Sequence, residues 1–183
     1  GADDPQAAAF SRLAVAVGKY WTCKRVGTVV GEAMECLGGA GYVEESILPR
    51  LYRESPLNGI WEGSGNVICL DVLRAMQREP ESVEAFMAEV GAAKGRDTRL
   101  DRAIAHLEDE IGRLDDIEFR ARAVVEHMAL TLQASLLTAA GPSAVAEAFL
   151  ASRLGGGWGH AFGTLEPGLD IQPLIDRATP LAA

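Results

Sequence analysis

Apolar positions recur at helical spacing along most of this chain. Asp4-Pro5 reads as an N-cap followed by proline at the first helical position, and the helix it opens is expected to run to about Leu37. Phe10, Leu13, Val17, Tyr20 and Trp21 supply its apolar stripe, while Lys19, Lys24 and Arg25 read as a solvated face. A helix is next expected from Gly63 to about Arg78, with Val67, Leu70, Leu73 and Ala75 or Met76 buried. Pro80 starts a shorter one through about Ala92, and 91–96 reads as a connector. Leu100, Ile104, Leu107, Ile111 and Leu114 then recur at a 4-3-4-3 spacing, an amphipathic seam. Asp115-Asp116 marks a break and N-cap. The following helix carries Ile117, Ala121, Val124, Met128, Leu132 and Leu136 and ends near Ala140-Gly141. Joined by almost no loop, these two helices are expected to pack antiparallel as a hairpin. Pro142-Ser143 opens another helix to about Leu154, and an irregular tail follows, with Trp158, Phe162 and Leu165 expected to clamp it to the bundle.

The stretch from Glu35 to Asn66 is different: it is dense in glycine, proline and charge. Leu37-Gly38-Gly39-Ala40-Gly41-Tyr42 places three glycines in four positions. They either cap the first helix and turn the chain, or bring a flat or anionic ligand close to the backbone. No strand precedes them and no GxGxxG is present, so this is not a dinucleotide fingerprint. Glu44, Glu45 and Ser46 are placed to cap a short helical turn before Pro49. Arg50 and Arg53 pair on the surface with Glu54 or meet a phosphate. Pro56-Leu57-Asn58-Gly59 forms a turn expected to aim Ile60 and Trp61 inward. Glu62 then stands where a carboxylate caps free N–H groups at a helix start. Alternatively, Trp61 desolvates it into the range of a general base.

Composition narrows the class. The 183 residues are 48% apolar but only 6% aromatic, which favours helix-on-helix packing over a sheet sandwich. A net charge of −9 argues against a broad nucleic-acid footprint. Cys23, Cys36 and Cys69 lack CxxC spacing, so neither a disulfide framework nor a zinc site is indicated, and a reduced, cytoplasmic setting fits. His106, His127 and His160 show no HExxH or Glu-x-x-His arrangement, so no metal ligand is assigned. No apolar segment is long enough to span a membrane.

LGGAGY followed by LPRLYRESPLN and IWEGSGN resembles the C-terminal domain of the acyl-CoA dehydrogenase family, whose turns read Gln-x-x-Gly-Gly-x-Gly-Tyr and aromatic-Glu-Gly-Thr. GYVEES, CLDVLR and SRLGGGWGHAFGTL are similar to its AidB-type branch, the flavoproteins of the DNA-alkylation response. The resemblance implies FAD as cofactor and an acyl-CoA as substrate. Glu62 would be the α-proton base and Trp61 the aromatic beside flavin and thioester. Gly38 and Gly39 would lie on the ADP half of an FAD held mainly by a neighbouring subunit, and Ser64 and Asn66 would reach the cofactor. Glu35 stands for the usual Gln, Ser64 for Thr, and Trp61 for a smaller Tyr, which implies a narrower acyl pocket. The resemblance also implies a C-terminal piece preceded by two domains that build most of the site, and a dimer or tetramer.

The expectation is thus an all-α antiparallel bundle over 1–78, with an AidB-type extension over 79–183 that adds a helical hairpin and an irregular tail. Two rival roles fall on that extension. One is double-stranded DNA binding through Lys94, Arg96, Arg99, Arg102, Arg120 and Arg122. The interspersed Asp97, Asp101, Glu108, Asp109 and Glu110 favour a salt-bridged solvated helix instead. The other is a purely oligomerising surface.

Overall fold

The computed structural model describes residues 4–156 and 161–180, and every regular element among them is helical. Helix α1 spans Pro5–Cys36, α2 Gly39–Tyr42, α3 Leu48–Glu54, α4 Gly65–Arg78 and α5 Pro80–Gly91. Helix α6 spans Thr98–Gly112, α7 Ile117–Ala139, α8 Ala144–Phe149 and α9 Gln172–Ala178. A 3-10 turn occupies Ser55–Gly59, and a π-helical turn continues α8 through Leu150–Leu154. The all-α reading holds. The chain forms two compact units, Gly1–Phe86 with Arg113–Ala129, and Met87–Gly112 with Leu130–Ala183.

The ends of α1 follow from their local chemistry. Asp4 accepts from the amides of Gln6 and Ala7 at 3.0 and 3.3 Å, covering two of the donors a helix start leaves free. At the other end the amide of Gly38 returns to Glu35 O, and Gly38 takes φ +57 with ψ −139, a combination open essentially to glycine alone.

Within the first unit α1 packs on α4. Leu13, Val17 and Tyr20 of α1 are buried, as are Ile68, Cys69, Val72, Leu73 and Ala75 of α4. Val67 and Leu70 were expected inside but are exposed. Leu73 and Ala75 were placed correctly; the buried face of α4 runs through Ile68, Cys69 and Val72 instead of Val67 and Leu70, and the helix starts at Gly65, two residues after the expected Gly63. Phe86 of α5 is fully buried and stacks on Phe10 with ring centroids 6.1 Å apart. Burying such a side chain contributes about 1.5–3 kcal/mol.

The second unit is built on the seam foreseen for α6. Leu100, Ile104 and Leu107 are buried, while Ile111 is half-buried and Leu114 lies past the helix end, exposed. Arg96, just ahead of α6, donates to the carbonyls of Thr138 and Ala139 at the end of α7. The start of α6 therefore lies beside the end of α7, as an antiparallel hairpin requires. Ser143 caps α8 by accepting from the Ala146 amide at 3.0 Å. Phe162 and Leu165, expected to clamp the tail, are 39% and 42% exposed; Trp158 lies outside the described residues. Helix α9 was not anticipated, although Pro173 in its first turn is the signal that marks it.

Candidate functional site

The glycine turn separates into three roles. Gly38 needs its positive φ to end α1. Gly41 is buried, and a Cβ there would run into the backbone carbonyl of Met34. Gly39 has neither constraint: its φ is ordinary for an L-residue, and a Cβ would meet nothing within 4 Å. The chain's own packing thus accounts for two of the three glycines and leaves Gly39, beside Gly38, as bare backbone facing outward. Glu35 is exposed nearby on the last turn of α1, so its carboxylate is free to face solvent.

The residues after the turn depart from expectation in two places. Helix α3 begins at Leu48 with no side-chain cap, and Ser46 Oγ is buried without a partner. Glu44 instead meets Arg53 at 2.6 Å, and Arg50 meets Glu54 at 3.1 Å. Ile60 and Trp61 were expected to point inward but are 66% and 53% exposed. Helix α4 starts at Gly65, with Ser64 in the N-cap position making no side-chain cap hydrogen bond. Glu62 is therefore not a helix cap. It is exposed in the turn ahead of the helix, at φ +52.

That turn is held by a residue first read as part of a solvated face. Lys19 Nζ donates to Trp61 O at 2.7 Å, to Glu62 O at 3.2 Å and to Gly63 O at 2.9 Å. An ammonium has three donors, and all three are used. A non-glycine residue in the left-handed region costs about 1–3 kcal/mol. Hydrogen bonds to a charged group contribute about 1.5–3 kcal/mol each, so the clasp outweighs that strain. Glu62 lines two clefts, both of which also take in Lys19. One, of about 650 Å³, is bordered by Arg12, Val15, Val67 and Asp71, and the other, of about 450 Å³, by Cys23, Asn58 and Trp61.

The start of α4 is crowded by cations. A Cβ on Gly65 would lie 2.6 Å from Lys24 Cε, 3.0 Å from Lys24 Nζ and 3.2 Å from Arg122 Nη2. Positive charge at a helix N-terminus opposes the helix dipole, so this arrangement suits an anion between them. Beneath it, burial pushes the Cys69 thiol and the Tyr20 phenol up from their ordinary values, and both stay protonated at neutral pH. On the far side of α4, Arg12 donates to Asp71 and to Glu79, both at 3.1 Å. Neither Lys19 nor Lys24 was separable from an ordinary solvated face in the sequence; only the fold carries them to the turn.

Residues 2–77 match the family described as acyl-CoA dehydrogenase, C-terminal domain. The chain is 46% identical over 108 residues to the putative acyl-CoA dehydrogenase AidB of Escherichia coli K12, a match covering 59% of this chain and 20% of that protein. It is 32% identical over 136 residues to acyl-CoA dehydrogenase family member 11 of Caenorhabditis elegans, covering 66% and 22%. Among solved structures, it is similar to Caenorhabditis elegans ACDH-11 in complex with C11-CoA, with a TM-score of 0.67 and 26% identity over 81% of this chain and 29% of that one. The apo form of Bd2924 shares the fold, with a TM-score of 0.65 at 24% identity over 76% and 27%. The chain thus spans about a fifth of the length of the curated relatives it matches.

Proposed function

Because residues 2–77 are an acyl-CoA dehydrogenase C-terminal domain of the AidB-type branch, we propose that the whole protein is an FAD-dependent dehydrogenase acting on a short or branched acyl-CoA. Residues 1–78 are read as the dehydrogenase domain and 79–183 as the branch's extension; the family match ending at residue 77 supports that division. The observation that carries the function is the turn at 61–63: it presents Glu62 at a cleft edge, exposed, with no hydrogen bond to its carboxylate among the described residues.

In this reading the Glu62 carboxylate takes the α-proton of the thioester, and Trp61 limits the width of the acyl site. The chemistry that bound FAD would supply is acceptance of the β-hydride, which would leave the α,β-double bond. The donor set fits that group. Gly38 and Gly39 offer open backbone for its ADP half, and Ser64 and Asn66 flank the cation-crowded start of α4, where a phosphate would be favoured. Lys24 and Arg122 join the cofactor-binding set on the same ground. The exposure of Trp61 and Glu62 fits a site completed by other domains and by a second subunit of a homo-oligomer, so the isolated chain is expected to be colourless and inactive. Cys23, Cys36 and Cys69 are all free thiols, in keeping with a cytoplasmic setting, and no helix among the described residues is long and apolar enough to cross a membrane.

The rival reading, a DNA-protecting flavoprotein with vestigial activity, rests on six basic side chains, four of which are already engaged. Arg99 is bound to Asp97 and Glu147, Arg96 to carbonyls of α7, Lys94 to Glu108 at 3.6 Å, and Arg120 to the carbonyls of Arg113 and Asp115. This weighs toward the dehydrogenase.

The deciding experiment holds the full-length flavoprotein anaerobic and adds acyl-CoAs from isovaleryl-CoA to C11-CoA while following oxidised-flavin absorbance. Bleaching that Glu62→Gln abolishes supports the assignment. No bleaching with any thioester shifts the reading to DNA or assembly.

A further inference from the structure

We propose that Lys19 is the positioning residue of the base-bearing turn. Its ammonium fixes Glu62 in the left-handed conformation from which the carboxylate reaches the thioester. The inference rests on the reading of Glu62 as the base.

Three observations carry it. First, the carbonyls of Trp61, Glu62 and Gly63 converge on one atom, Lys19 Nζ, at 2.7, 3.2 and 2.9 Å. Glu62 and Gly63 both have positive φ, +52 and +103, and in this turn the three successive carbonyls face the same side. Second, among the described residues no backbone amide donates to any of these three carbonyls outside the helices, and the nearest backbone tether is Trp61 N to Leu57 O. Lys19 is thus what holds this side of the turn. Third, Lys19 stands on α1 between the buried Val17 and Tyr20, so the clasp refers the turn to the rigid core. With every donor used, Lys19 has none left for substrate or flavin. It therefore acts through Glu62, and is not itself a catalytic residue. A guanidinium has the charge but presents a planar fork, which does not fit three converging carbonyls.

The test uses the full-length flavoprotein with isovaleryl-CoA and C11-CoA, comparing Lys19→Met, Lys19→Arg and Glu62→Gln. Displacement of a reacting group by about 1 Å lowers rates by about 100-fold, so flavin bleaching at saturating thioester is expected to slow by about 10- to 100-fold in both Lys19 variants. Flavin content and thioester Kd should stay within about twofold of the parent, separating positioning from loss of structure. If Lys19→Met fails to hold flavin, Lys19→Arg decides alone. A parental bleaching rate in Lys19→Arg overturns the proposal. Full bleaching in Glu62→Gln overturns the base reading and this inference with it, and shows itself in that single variant.

Discussion

Arg99 and Glu147, 48 residues apart, form a two-point ion pair: Nη1 to Oε1 at 2.8 Å and Nη2 to Oε2 at 2.7 Å. The same guanidinium donates to Asp97, at 3.1 and 2.8 Å, so it joins the entrance of α6 to the first turn of α8. Fork-to-carboxylate geometry of this kind is about twice as strong as neutral hydrogen bonding.

The pair gives the second unit an acid limit. The Arg99 hydrogen bond, foremost, holds Asp97 down to about 2 from its ordinary 3.8. A carboxylate depressed in the folded state contributes its stabilisation fully above its unfolded value and loses it as pH falls through the folded one. Stability on the order of 2 kcal/mol is thus expected to disappear between about pH 4 and pH 2. Glu147 is lowered by the same arginine but is half exposed, and adds little. Urea unfolding from pH 5 to pH 2 should show a shallower acid limb in Asp97→Asn than in the parent. Identical limbs would rule this linkage out.

The glycine turn predicts opposite outcomes for neighbouring substitutions. Gly41→Ala meets the Met34 carbonyl and should destabilise by about 1–3 kcal/mol, the usual range for overpacking. Gly39→Ala has open space and should leave the melting temperature near the parent's. If Gly39 lies on the cofactor, that variant will nevertheless purify with less flavin. Full flavin occupancy in Gly39→Ala would remove Gly39 from the binding set.

DNA binding can be tested through a cation that is not committed elsewhere. Arg102 is exposed on α6, with no ion pair or hydrogen bond among the described residues. Arg102→Gln should leave the affinity of the full-length protein for double-stranded DNA, and its salt dependence, unchanged. A phosphate contact there would flatten the log–log salt slope by roughly 0.9. Such a change, in a filter or anisotropy titration over several salt concentrations, would restore the DNA reading.

The sequence by itself determined the long helices α1, α4, α6 and α7, the seam of α6, the cap at Asp4, and the turn that ends α1. These depend on period, capping chemistry and glycine's freedom at φ +57, all of which act within a few residues. Through resemblance it also marked Gly38, Gly39, Trp61, Glu62, Ser64 and Asn66 as the candidate site. Only the tertiary structure decided which way the site faces. Whether Trp61 points in or out depends on where the 3-10 turn at 55–59 releases the chain, and α4 begins later than its apolar pattern implies. The role of Lys19 is decided there too. A lysine on a helix looks like any solvated lysine until a turn 42 residues later brings three carbonyls to its ammonium. Local chemistry fixes the elements; contacts between distant residues decide what each side chain does.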